Sequence, residues 1–135
     1  MTTTETVLLT ISASLLSGVL GVIISSFFYA SLERKKLKRD TARKMFGSKH
    51  DISGDKFLES MNEVLFVFSD SQSVIDVVQH LFGVIETPKE ARPSKAADEA
   101  LIRLMKAMCK DIGIKYKELP DSYYLKFFGV PKENA

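Results

Sequence analysis

The chain has 135 residues with 19 Lys or Arg against 17 Asp or Glu, enough for one membrane anchor and one small domain. A single cysteine, Cys109, excludes a disulfide framework and a cysteine-based zinc site. The basic excess is confined to one stretch: residues 33–44 carry seven positive and two negative charges, and residues 45–135 carry 12 positive and 14 negative. The bulk of the chain is therefore slightly acidic and lacks a general nucleic-acid signature.

Residues 6–32 contain no charge and lie between Glu5 and Glu33. As a helix they reach roughly 40 Å, more than the ~30 Å hydrocarbon core of a bilayer. A single N-terminal transmembrane helix is expected. A cleaved signal peptide fits poorly because no Lys or Arg precedes the apolar run. Arg34, Lys35, Lys36, Lys38, Arg39, Arg43 and Lys44 follow it. By the positive-inside rule the N-terminus lies outside the inner (plasma) membrane and the remainder in the cytoplasm. Those seven residues are expected to meet anionic lipid headgroups, at about 1 kcal/mol each near such a surface.

The apolar run is seeded with small residues. At about 100° per residue, Thr10, Ser14, Ser17, Gly18, Gly21 and Ser25 share an arc of roughly 100°. Leu16, Leu20, Ile23 and Phe27 fall opposite. Ser14, Gly18, Gly21 and Ser25 are spaced 4-3-4, the seam of a left-handed pair, and Ser17, Gly21 and Ser25 form a small-xxx-small ladder. Such a face lets helix backbones approach closely, so a homo-oligomer is expected. No ionisable residue lies inside the span to serve as a proton relay.

Beyond the span the helix is expected to continue through a basic juxtamembrane segment, residues 33–47, and to stop at Gly47. A helical cytoplasmic domain, residues 48–135, follows. Its first helix starts after Ser53 and Gly54, with Phe57, Leu58, Met61, Leu65 and Phe68 at helical spacing. The segment VLFVF that ends it reads either as a buried last turn or as a short strand. Ser73 and Asp76 have capping-box spacing for the next helix. Val74, Val77, Val78, Leu81, Phe82 and Ile85 give that helix one buried face, weakened near its end by Gly83. TPKEARPSK is an exposed loop. Ser94 can cap the next helix, whose core face is Ala97, Leu101, Leu104, Met105, Met108 and Ile112, with Gly113 as its terminating glycine. In the tail, Tyr123 with Phe127 and Tyr124 with Phe128 have i, i+4 spacing and suggest a short helix closing the core. The fold class is thus mainly α: one transmembrane helix and a small domain of three to four helices.

Residues that could carry chemistry are sparse. His50 and His80 lack metal-ligand spacing, Cys109 sits beside Met108, and Asp55, Glu59 and Glu63 form an acidic stripe on one helix face without a second cluster to complete a site. No phosphate-binding glycine loop occurs. No enzyme and no cofactor are expected. Lys89, Arg92 and Lys95 in the exposed loop are the candidates for an anionic ligand such as a nucleotide.

The runs KMFGSKH, FLESMNEVLFVFSDSQSVIDVVQHLF, LIRLMKAMCKDIGI and DSYYLKFF resemble a family of small bacterial membrane proteins known only as a domain of unknown function. In that family an N-terminal anchor precedes a helical domain. The resemblance covers about residues 33–128 and implies architecture but no activity. It points to Asn62, Glu63 and Asp70 as shared polar positions, with Met61 standing where the family has a leucine. Two functions follow. One is a self-associating, single-pass membrane protein whose cytoplasmic domain binds a protein or ligand. The other is a ligand-gated effector of anti-phage defence that oligomerises and permeabilises the membrane.

Overall fold

A computed structural model describes residues 2–115 and 120–129. Helix α1 spans Thr3–Gly47, α2 Asp55–Val67, α3 Gln72–Glu86, α4 Ala96–Ile112 and α5 Ser122–Leu125, with a 3-10 turn at Lys89–Ala91. No strand occurs among the described residues. The chain divides into two compact units, Met1–Lys36 and Leu37–Ala135.

The first unit is a single run of helix. A reciprocal pair of bonds closes its start: Glu5 N–H donates to Thr2 Oγ1 at 3.4 Å, and Thr2 N–H donates to Glu5 Oε2 at 2.9 Å. This is capping-box geometry. From Thr2 through Leu37 every residue is exposed. Exposed apolar side chains run its whole length, from Leu8 at 67% through Ile24 at 67% to Phe27 at 75%. The helix is long and apolar enough to cross a membrane.

The second unit begins inside α1. Thr41, Ala42 and Met45 are buried there, with Lys38 one turn earlier. Helix α1 thus runs unbroken through the basic segment, residues 33–47, to Gly47, and within it Lys38, Thr41, Ala42 and Met45 face the core of the second unit. The spacing 38, 41, 42, 45 is one helical face, but only two of its four members are apolar. Helix α2 contributes Phe57, Val64 and Val67, and Phe68 closes its end. VLFVF is thus helical, and it is not buried all round: Val64, Val67 and Phe68 point inward while Phe66 is 80% exposed.

Helix α3 buries Val74, Val78 and Leu81 against α4, which buries Leu101, Leu104, Met105 and Met108. Fully burying one such side chain contributes about 1.5–3 kcal/mol. The caps differ from those expected. Ser71, not Ser73, precedes α3, and its hydroxyl lies 3.3 Å from that of Ser73. Gly83 lies inside α3, which continues to Glu86. Lys95, not Ser94, precedes α4, and adopts a left-handed φ of 65°. Gly113 ends α4 at φ 82°, with its N–H donating to Lys110 O at 3.2 Å and Ile114 N–H to Cys109 O at 2.9 Å. These two bonds form a Schellman motif, which glycine accommodates without strain.

The tail docks through α5. Tyr124 is buried, its ring centroid 6.5 Å from that of Phe46, and Lys106 pairs with Asp121. The helix stops at Leu125, so the expected i, i+4 aromatic pairs do not form; Phe127 and Phe128 are exposed.

Candidate functional site

Two features of the first unit bear on function: its apolar surface and its small-residue face. Thr10, Ser14, Ser17, Gly18, Gly21 and Ser25 are all exposed. The Thr10 hydroxyl donates to its own helix, at Thr6 O, over 2.8 Å. Such back-bonding lets a hydroxyl sit on an apolar helix. A Cβ added at Gly18 or Gly21 would meet nothing within 4 Å. Among the described residues, neither glycine is required by packing.

In the second unit the end of α1 is held by a polar seam. Lys38 Nζ lies 2.8 Å from Asp70 Oδ1, just beyond α2, and donates to Asp111 Oδ2 of α4 over 2.7 Å. It also stands 5.4 Å from the Phe68 ring centroid, within cation–π range. The Lys38 side chain is only 9% exposed. Burial alone would push its ammonium downward in pKa, but the hydrogen bonds to Asp111 and Asp70 and their negative charges outweigh this, and the net shift is upward. One turn on, Thr41 Oγ1 donates to Glu63 Oε2 at 3.1 Å, and Lys44 Nζ reaches Glu63 at 3.2 Å and Glu59 at 3.9 Å. The order of these contacts runs α2 antiparallel to the end of α1.

This seam redistributes the residues singled out in the sequence. Of the seven expected to face headgroups, Arg34, Lys35, Lys36, Arg39 and Arg43 are exposed, with Arg43 beside Asp40 at 3.1 Å. Lys38 is turned into the helical unit by two carboxylates and so leaves that set, and Lys44 is shared with Glu59 and Glu63. The acidic stripe splits: Glu59 and Glu63 meet α1, while Asp55 stays at the start of α2. Glu63 and Asp70, two of the polar positions named by the resemblance, are anchoring points for α1. The signal that could have found this is pairing of charges distant in sequence, since Lys38 and Asp111 are 73 positions apart.

The loop trio does not converge. Lys89 and Lys95 are exposed. Arg92 folds back: Nη2 donates to Ile85 O at 2.7 Å and to Thr87 O at 2.8 Å, capping the end of α3. Beside it lies an apolar groove of about 340 Å³ between α2, α3 and the start of α4. Residues chosen for possible chemistry are scattered. His80 is exposed, His50 lies 6.2 Å from the Phe127 ring, and Cys109 is buried. Among the described residues no three His, Cys, Asp or Glu side chains are grouped to hold a metal ion.

A family model matches residues 1–127. The chain belongs to DUF6680, a family of unknown function. The match takes in the apolar helix as well as the helical unit, so DUF6680 joins both features in one family, a wider span than the residues 33–128 of the sequence resemblance. No curated protein and no solved structure matches the chain. Membership of DUF6680 therefore brings no activity with it.

Proposed function

We propose that the chain is a non-enzymatic, single-pass membrane protein that self-associates through the small-residue face of α1 and uses its helical unit to bind a partner or ligand in the cytoplasm. One observation carries this reading: an uninterrupted apolar helix, residues 6–32, that nothing among the described residues covers. Leaving Leu, Ile, Val and Phe side chains at 45–75% exposure in water forgoes tens of kcal/mol in aggregate, on the order of 1–2 kcal/mol for each. A bilayer removes that penalty. The exposed Arg34, Lys35, Lys36, Arg39 and Arg43 would then lie at the cytoplasmic headgroups.

Within lipid, leucine-rich surfaces gain little by associating, and close backbone approach at small residues supplies the contact. Gly18 and Gly21 sharpen the test. Since a Cβ there meets nothing among the described residues, a substitution that changes association is expected to act on a neighbouring molecule. The experiment is native mass spectrometry of the full-length protein released from nanodiscs, beside Gly18→Ile and Gly21→Ile. A defined oligomer that both substitutions dissociate is expected. A monomer in all three samples would leave the helix as an anchor alone.

A further inference from the structure

We infer that the groove between α2, α3 and the start of α4 is a binding site for an apolar monocarboxylate, a ligand with a hydrocarbon body and one carboxylate head. The groove holds about 340 Å³, inside the range of pockets that take small ligands. Its walls include Phe57, Leu58, Met61, Leu81, Phe82 and Leu101. At its margins Ile52, Leu58, Phe82 and Ile85 are 42–52% exposed. Hydrocarbon laid along them would be removed from water, and so would these side chains.

The head of the ligand is set by Arg92, which lines the same groove. Its Nη2 is fixed by two carbonyl oxygens at the end of α3. Carbonyls neutralise none of its formal charge, and no carboxylate pairs with it among the described residues. Its Nε–H is buried without an acceptor. A guanidinium at the edge of an apolar groove, held on one nitrogen by neutral carbonyls, is complementary to an oxyanion.

Asp98 limits the charge of that oxyanion. It also lines the groove and repels each negative charge that a ligand brings, so a dianion is disfavoured more than a single carboxylate. Lys89 and Lys95 do not line the groove and offer no compensation. A single carboxylate fits this balance better than a phosphate dianion or a dinucleotide. The inference rests on the helical unit being a binding module, as proposed above, and needs nothing of the anchor's self-association.

Decanoate is a suitable probe, titrated into the full-length protein in phosphatidylcholine nanodiscs with isotope-labelled Ile, Leu and Met methyls. Saturable shifts are expected at Ile52, Leu58, Ile85 and Leu101, with Met45 and Met105 unmoved. Decanol should bind at least tenfold more weakly, and Arg92→Gln should bring the two within about threefold of each other. Because Arg92 also caps α3, a second variant is needed: Leu58→Glu, at a half-exposed position, should abolish the shifts while the Met45 and Met105 signals stay in place. The inference is overturned by unshifted groove methyls, by equal affinity for decanoate, decanol and decyltrimethylammonium, or by shifts confined to Ile11 and Ile23. The subunit count of the same samples reports on the anchor separately, so the two readings fail independently.

Discussion

Replacing Lys38 by Met keeps most of the side-chain stem and removes the charge that joins α1 to Asp70 and Asp111. Breaking a buried ion pair from one side typically costs 3–5 kcal/mol, because the partner charge is left uncompensated. Here the two carboxylates regain some water, since the Asp70 and Asp111 side chains are 38% and 21% exposed. The loss is accordingly discounted to about 2–3 kcal/mol. Hydrogen–deuterium exchange of the full-length protein in nanodiscs reads it locally: amides of α2 and α4 should exchange about 30- to 140-fold faster, as 1.4 kcal/mol is a factor of ten.

Adding Asp70→Asn and Asp111→Asn to Lys38→Met removes the stranded charges and should recover most of the protection. The pH dependence has a definite sign. Lys38 is raised above 10.5 in the folded state, so its contribution is complete below pH 10.5 and is lost as pH rises through the folded value. Wild type should therefore lose protection faster than Lys38→Met above pH 10.5, and the two curves should run parallel below it. A change in exchange under threefold in Lys38→Met, or parallel curves throughout, would refute the seam as a source of stability.

Two backbone predictions follow from the helix ends. Gly83 sits on an exposed part of α3 with nothing within 4 Å of an added Cβ, so Gly83→Ala should stabilise the helical unit by about 0.5–1 kcal/mol, measured by the same exchange. Lys95 holds a left-handed backbone, which disfavours any side chain by about 1–2 kcal/mol; Lys95→Gly should stabilise α4 by about 1 kcal/mol after the added freedom of the unfolded chain. Destabilisation by either substitution would show that the native backbone at that position is not the one described.

The helical faces were legible in part: Phe82 and Ile85, expected on the buried face of α3, and Leu58 and Leu65 of α2 are 42–52% exposed, because periodicity shows which side turns in but not how far the packing reaches. Val74, Val78 and Leu81 of α3, and Leu101, Leu104, Met105 and Met108 of α4, stand buried at the positions their spacing indicated. Gly113 was legible as a stop because few other residues adopt its φ. The end of α1 was not legible as core. Its inward face includes Lys38 and Thr41, and a lysine in a basic run reads as solvated until Asp70 and Asp111 are brought to it by folding. VLFVF was ambiguous for another reason: five apolar residues carry no periodicity, and only the packing of Val64, Val67 and Phe68 shows which side turns in. The caps slipped because several Ser and Asp residues crowd residues 69–76, and any of them satisfies the local pattern. Of the groove, the sequence held Arg92 as a loop cation; its fixation by Ile85 and Thr87 depends on the path of the loop.

The most direct measurement on the proposed role is cysteine cross-linking along residues 8–28, one position at a time, in full-length protein with Cys109→Ala and in native membranes. Association through the small-residue face predicts disulfide dimers peaking at 14, 18, 21 and 25, with minima at 16, 20, 23 and 27. A flat profile, or maxima on the Leu16–Leu20–Ile23 side, would contradict it.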